Sequence, residues 1–227
     1  GMPVYIELKK IYRQNDEQFV SLLNNFRTNN VSAIDYEILG KRVDEHFDSK
    51  KNKGYITLTT HNRKADEINN RELERLKEDE FVFIPEIIGE FPEKLYPLEP
   101  ELVLKKGAQV MFVKNDLSHE KRYYNGKIGF VFYVSAHEIE VLIPEDNVKI
   151  TVEKYEWQNV RYVVNEQTKE IEEEVLGTFV QYPLKLAWAI TVHKSQGLTF
   201  DKAVLDINDV FMSGRAYVAL SRLRSLD

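Results

Sequence analysis

Between 99 and 178 the sequence abandons any helical period. The stretches "LVLKKGAQVMFVKND", "GKIGFVFYVSAHEIEVLI", "VKITVEKYEWQNVRYVV" and "EIEEEVLGTFV" alternate apolar and polar side chains and are rich in β-branched and aromatic residues. Apolar residues at a spacing of two cannot form the single buried stripe that a helix needs. Short turns at Lys106-Gly107, Asn125-Gly126 and Asn165-Glu166 punctuate the run. A meander of short strands joined by such turns predicts a small β-barrel.

The flanks have a different grammar. "VYIELKKIY" reads as a strand, and "NDEQFVSLLNNFRTNN" as a helix with Asn15 or Asp16 as N-cap and Phe19, Leu22, Leu23 and Phe26 on one face. A second helix is expected from about Ser32 to Phe47, then a strand at "YITLTT". The segment "NRKADEINNRELERL" comes next as a helix, with Ala65, Ile68, Leu73 and Leu76 turned inward. Strand and helix in alternation predict βαβ units on a parallel sheet. "FPEKLYPLEP" carries three prolines in ten residues, the composition of a linker. After Phe179 the α/β character returns, with a turn or helix around Ala187 to Gln196, a strand at Ala203 to Ile207 and a helix at Gly214 to Leu223. The predicted organisation is an α/β domain, residues 1–98 and 179–227, interrupted by a β module at 99–178.

Composition narrows the function classes. With 227 residues, 43% hydrophobic, the chain has material for a substantial core. The absence of cysteine excludes disulfides, thiolate zinc ligands and thiol catalysis, and fits a reducing, cytoplasmic setting. No apolar run reaches the roughly 20 residues that span a bilayer. The net charge of -6 is uneven. Residues 71–101 hold ten acidic and four basic side chains, a net of -6, whereas 179–227 hold four acidic and six basic, a net of +2. Global charge therefore does not argue against a nucleic-acid partner. The leading Gly1-Met2 reads as an expression remnant and "SRLRSLD" ends without a helix stop, so a piece of a longer protein is expected.

The densest cluster of hydrogen-bonding side chains is "LAWAITVHKSQGLTFDKAVLDI". His193 and Ser195 do not make a hydrolase: "HKSQG" lacks the first glycine of a nucleophile elbow, and no third residue is evident to orient the imidazole. The five histidines are scattered without metal-ligand spacing, so no metal site is expected. No G-x-x-x-x-G-K-[ST] phosphate loop occurs, and Asp79-Glu80 sits on a polar helix rather than after an apolar strand, so a Walker A and a Walker B are both missing. There remain arginines placed to reach a neighbour's phosphate, Arg13 past a strand and Arg222 near a helix end. The bland reading of each is a surface ion pair. Trp188 and Tyr217 read as core aromatics. "KRYYNGK", with Lys121, Arg122, Tyr123, Tyr124 and Lys127, is a basic, aromatic turn suited either to a nucleic-acid strand or to plain solubility.

Five segments in order, "LKKIYRQNDEQFVSLLNNFR", "ITLTTHNRKADEIN", "LVLKKGAQVMFVKND" with "YNGKIGFV", "LAWAITVHKSQGLTFDKAVLDI" and "GRAYVALSRLRSLD", resemble the RecD/Pif-type helicases of superfamily 1B. The resemblance covers nearly the whole chain. It implies the second RecA-like motor domain, a P-loop NTPase-type parallel sheet, with an SH3-like barrel inserted. It also implies ATP and Mg2+ held between this domain and an N-terminal RecA-like domain of the same polypeptide, and single-stranded DNA crossing both. Work in DNA repair and recombination is implied as well.

By the same resemblance "YRQ" places Arg13 on the γ-phosphate with Gln14 beside it, and "YVALSR" makes Arg222 an arginine finger. "TVHKSQG" implies that Thr191, His193, Lys194 and Ser195 face DNA and that Gln196 and Gly197 lie toward the nucleotide. Thr60, His61 and Asn62 of "TTHNR" would contact the DNA backbone. Because Walker A and Walker B are missing, the chain alone is expected to hold no nucleotide and to hydrolyse none. A non-catalytic nucleic-acid- or protein-binding module that keeps the motor fold is the alternative.

Overall fold

The computed structural model describes residues 5–8, 32–33, 43–44, 53–59, 61–191, 194–195, 198 and 203–206 of the 227. The predicted helices at 15–30 and Gly214 to Leu223 lie outside them. The chain divides into two compact units, 1–77 with 109–129 and 186–227, and 78–108 with 130–185.

In the first unit, β1 (Tyr5–Leu8), β2 (Val43–Asp44), β3 (Ile56–Thr59), β14 (Ala189–Thr191) and β15 (Ala203–Asp206) form one sheet in the order β14-β3-β15-β1-β2. β3 runs parallel to both β14 and β15. Enclosed by neighbours on both edges, it is a near-continuous buried run, with Ile56, Leu58 and Thr59 at 0% exposure. α1 (Asn62–Arg75) leaves the end of β3 and buries Ala65 and Leu73, eight residues apart along one stripe. It packs on both β3 and β14. The return strand of this β-α-β crossover is β14, so the second unit is inserted within a single crossover.

Three expectations change here. β1 pairs antiparallel to β15, so the sheet is mixed rather than parallel. Periodicity fixes which side chains share a face but not the direction in which a strand arrives, and a β1 running against an otherwise parallel sheet is a common solution. Val43 and Asp44, predicted helical, pair with Ile6 and Tyr5 of β1. The expected turn or helix at Ala187 to Gln196 contains β14, because the apolar Ala189 and Ile190 are covered on a sheet edge rather than on a helix face.

The second unit carries β4 (Phe81–Phe83), β5 (Glu86–Gly89), β6 (Leu102–Leu104), the larger part of β8 (Ile128–Val134), β9 (Ile139–Ile143), β10 (Val148–Thr151), β11 (Tyr155–Val164), β12 (Ile171–Gln181) and the larger part of β13 (Leu184–Leu186), while β7 (Gln109–Phe112) belongs to the first. The long pair β11 and β12 is antiparallel, and β5 adds to the other side of β12. β8, β9 and β10 pair in succession, and β4 pairs with β6. Among the described residues these strands form open sheets and no closed barrel. Closure requires every strand to be paired on both sides, and β11 and β5 are edges of their own sheet.

The proline-rich stretch is not a linker. Phe91 is buried, and the rings of Phe91 and Tyr96 lie 5.6 and 4.8 Å from that of the fully buried Phe179. Pro92 caps a 3-10 turn, Glu93–Leu95, whose flanking Phe91 and Tyr96 lie against Phe179.

Candidate nucleic-acid interface

Adjacent parallel strands end on the same edge of a sheet, and ligands of open α/β sheets gather at that carboxyl edge. Here the two neighbours are β3 and β14, with Thr59 opposite Thr191 in register. Each leads into one of the polar segments singled out in the sequence.

α1 begins three residues after the last residue of β3. His61 is exposed in extended backbone at the N-cap (φ -120, ψ 126), and its carbonyl accepts the Ala65 amide at 3.2 Å. Its own amide leans toward Thr59 Oγ1 at 3.5 Å. Asn62 opens the helix and is exposed. The first-turn amides of α1 thus point out of the carboxyl edge, where a helix start favours anions. No acidic side chain stands in that first turn to oppose one.

After β14, Lys194 and Ser195 lie in a turn. Thr191 is buried, its carbonyl accepts the Ser195 amide at 3.0 Å, and its Oγ1 accepts the Lys194 amide at 3.3 Å. Ser195 is fully buried and its carbonyl accepts the Leu198 amide at 3.1 Å. Lys194 is exposed. The turn is therefore built by Thr191 and Ser195 and offers the lysine ammonium to solvent. Among the described residues of the two segments, His61, Asn62 and Lys194 are exposed, whereas Thr191 and Ser195 are internal to the fold. Arg13, Gln14, Thr60, His193, Gln196, Gly197 and Arg222 lie outside the described residues.

Two side-chain amides hold this arrangement, and neither stands out in the sequence reading. Asn69, half-buried on α1, donates from Nδ2 to the Ala189 carbonyl at 3.0 Å and accepts the Ala189 amide on Oδ1 at 2.8 Å. Gln109 begins β7 and is 3% exposed. Its Nε2 donates to the carbonyls of Tyr55 and Ala187, both at 2.8 Å, beside the starts of β3 and β14. A polar residue beside an apolar stripe, or inside a fully buried strand, is the signal that marks both.

The basic, aromatic turn belongs to the first unit. Tyr123 stacks on Phe112 with centroids 3.9 Å apart and rings within 12° of parallel. Arg122 gives its backbone amide and its Nε to Asp116 Oδ2, at 2.8 and 3.2 Å. Lys127 is 9% exposed, with Nζ 5.5 Å from the centre of the Tyr124 ring. Lys121 is exposed, at φ 46. Burial raises the Asp116 pKa, but hydrogen bonds from the backbone and side chain of both Ser118 and Arg122 outweigh it and hold the carboxylate at about 2. Arg122, Tyr123 and Lys127 are thus engaged within the hairpin. Among the described residues no group of three or more His, Cys, Asp or Glu could hold a metal ion, and no helix is long and apolar enough to cross a membrane.

Known proteins resemble this chain over nearly its whole length. It is 32% identical over 218 residues to the ATP-dependent DNA helicase Pif1 of Bdellovibrio bacteriovorus, covering 94% of this chain and 46% of that protein. It is 33% identical over 239 residues to human ATP-dependent DNA helicase PIF1, covering 99% of this chain and 34% of the relative. Among solved structures, Bacteroides sp Pif1 in complex with ADP-AlF4 superposes with a TM-score of 0.78 at 37% identity, covering 94% of this chain and 48% of that one. Bacteroides Pif1 bound to ssDNA gives 0.65 at 38% identity, covering 95% and 49%. No family model matches the chain. The chain spans between a third and a half of the length of these relatives.

Proposed function

Because the chain belongs to the Pif1-type helicases of superfamily 1B, we propose that it is the C-terminal motor half of an ATP-dependent DNA helicase that translocates on single-stranded DNA and unwinds duplex. In this reading residues 1–98 and 179–227 form the second RecA-like motor domain, P-loop NTPase in type, and the inserted strands at 99–178 form an SH3-like module. The carrying observation is the parallel register of Thr59 and Thr191, which sends the segments after β3 and β14 out of one sheet edge.

Thr60, His61 and Asn62 of the segment after β3, and Thr191, His193, Lys194 and Ser195 of the segment after β14, then serve a grip on successive phosphates that reads no bases, some by contact and some by shaping the turn. The buried Thr191 and Ser195 shape their turn, while His61, Asn62 and Lys194 make the contact. Lys121, Arg122, Tyr123, Tyr124 and Lys127 are candidates for a further strand contact, with Lys121 the most exposed of them. Gln14, Gln196 and Gly197 lie toward the nucleotide. Arg13 and Arg222 supply guanidinium charge where negative charge builds on the transferring γ-phosphoryl group. ATP and Mg2+ require the N-terminal RecA-like domain of the same polypeptide, since the 227 residues contain neither a Walker A nor a Walker B. The chain alone is accordingly inactive. The whole protein works inside the cell, in DNA repair or recombination.

ATP turnover by the complete native polypeptide, with and without single-stranded DNA, tests this reading. DNA should stimulate turnover, and Arg222→Ala should lower kcat by roughly 10³-fold or more while leaving ATP binding nearly intact. Tight, nucleotide-independent DNA binding without turnover would instead favour a non-catalytic binding module.

A further inference from the structure

We propose that Asn69 is a positioning residue that sets the turn after β14 against the turn after β3, and so fixes the spacing of the two DNA-contacting segments. The inference rests on the reading given under Proposed function.

The geometry starts from a strand edge. Among the described residues β14 is the outermost strand of its sheet, with β3 on its inner side. Alternate residues of a strand direct their amide and carbonyl to opposite edges. Trp188 turns its carbonyl inward, to the Thr57 amide at 2.9 Å, so Ala189 turns both its polar groups outward. Asn69 meets both, donating at 3.0 Å and accepting at 2.8 Å. A carboxamide has the donor and acceptor of a peptide group, so Asn69 stands where a further strand would pair.

That contact joins two elements that each begin or end at the proposed interface. α1 starts at Asn62, inside the turn after β3, and Asn69 lies two helical turns along it. Ala189 lies two residues before Thr191, which builds the turn after β14. Apolar packing of Ala65 and Leu73 holds the helix on the sheet but leaves it free to slide along the strand. A paired donor and acceptor do not, because a shift of about one ångström breaks both bonds. Asn69 therefore fixes the axial register of helix and strand, and with it the distance between His61 or Asn62 and Lys194.

Asn69→Asp in the complete native polypeptide tests this. Aspartate has the same shape but offers an acceptor where Ala189 requires a donor. Asn70→Asp, one residue along on the exposed face of the same helix, is the matched control. The readouts are ATP turnover without DNA, the single-stranded DNA concentration giving half-maximal stimulation, and the melting temperature. For Asn69→Asp the half-stimulating concentration should rise about tenfold, the effect of displacing charge-assisted phosphate contacts. Basal turnover should stay near wild type, and Asn70→Asp should match wild type throughout. Asn69→Ala, which removes both bonds without adding charge, should shift the same constant in the same direction and serves if the aspartate variant does not fold. A folded Asn69 variant with wild-type DNA dependence overturns the inference while leaving the helicase reading intact. So does a loss of basal turnover with the DNA constant unchanged, which would mark a merely structural role. Wild-type protein that shows no response to DNA overturns the helicase reading itself, and this inference with it.

Discussion

Thr59 and Thr191 face each other in register at the ends of two neighbouring parallel strands, and both are buried. Thr191 also organises the turn beyond it, since its Oγ1 accepts the Lys194 amide and its carbonyl accepts that of Ser195. Threonine is well suited to this position. Its methyl fills the sheet, and its hydroxyl closes the turn.

Thr191→Val keeps the shape and removes the oxygen, leaving the Lys194 amide to solvent. Stability should fall by about 1 kcal/mol, the net worth of one hydrogen bond. Single-strand affinity should weaken about three- to tenfold, because the lysine is no longer held over the edge. Denaturant melts and fluorescence anisotropy with an oligothymidylate check the two effects separately. Unchanged affinity would remove Lys194 from the interface.

Asp116 predicts an acid limb in the stability of the first unit. Its carboxylate is held at about 2 by bonds from Ser118 and Arg122, below its ordinary 3.8. A depressed carboxylate contributes stability above its unfolded value and loses it as pH falls toward its folded value. The contribution should therefore be complete above about pH 5 and vanish progressively between about pH 4 and pH 2. Asp116→Asn should lower the urea midpoint at pH 7 and flatten its pH dependence across that window. An unchanged profile would mean that the carboxylate is not held as described.

Gly177 sits at a tight backbone crossing. It pairs with Gly89 where β12 meets β5, and a Cβ there would collide with the backbone oxygen, carbon and nitrogen of Glu90. Backbone atoms cannot swing aside as a side chain end can. Gly177→Ala should destabilise the second unit by about 2–4 kcal/mol. A thermal melt of the variant checks this, and a loss below about 1 kcal/mol would show that the crossing is looser.

The sequence carries much of this architecture, unevenly. The strand run from Leu102 onward is legible because side chains at a spacing of two have no other use, and α1 is legible because Ala65 and Leu73 fall on one stripe. Direction and closure are not. Nothing in "VYIEL" tells that β1 will arrive antiparallel, and nothing in "YEWQNVRYVV" tells that β11 will remain an edge. Proline content misleads at 91–100, where Phe91 and Tyr96 outweigh the prolines and pull the segment onto Phe179.

The interface divides in the same way. Motif order exposes the turns after β3 and β14, whereas Asn69 and Gln109 act through partners 120 and 54–78 residues away along the chain, a distance that local pattern cannot bridge. Within "TVHKSQG" the motif groups Thr191 and Ser195 with Lys194, but burial assigns the first two to building the turn and the lysine to the surface.

Ultraviolet cross-linking of an oligothymidylate to the complete native polypeptide, with mapping of the modified peptides, tests the interface most directly. Adducts should fall in the peptides containing residues 60–62 and 191–197, the two turns at one sheet edge. Adducts confined to the β11–β12 hairpin or to residues 119–127, with both turns unmodified, would contradict a DNA strand held at the ends of β3 and β14.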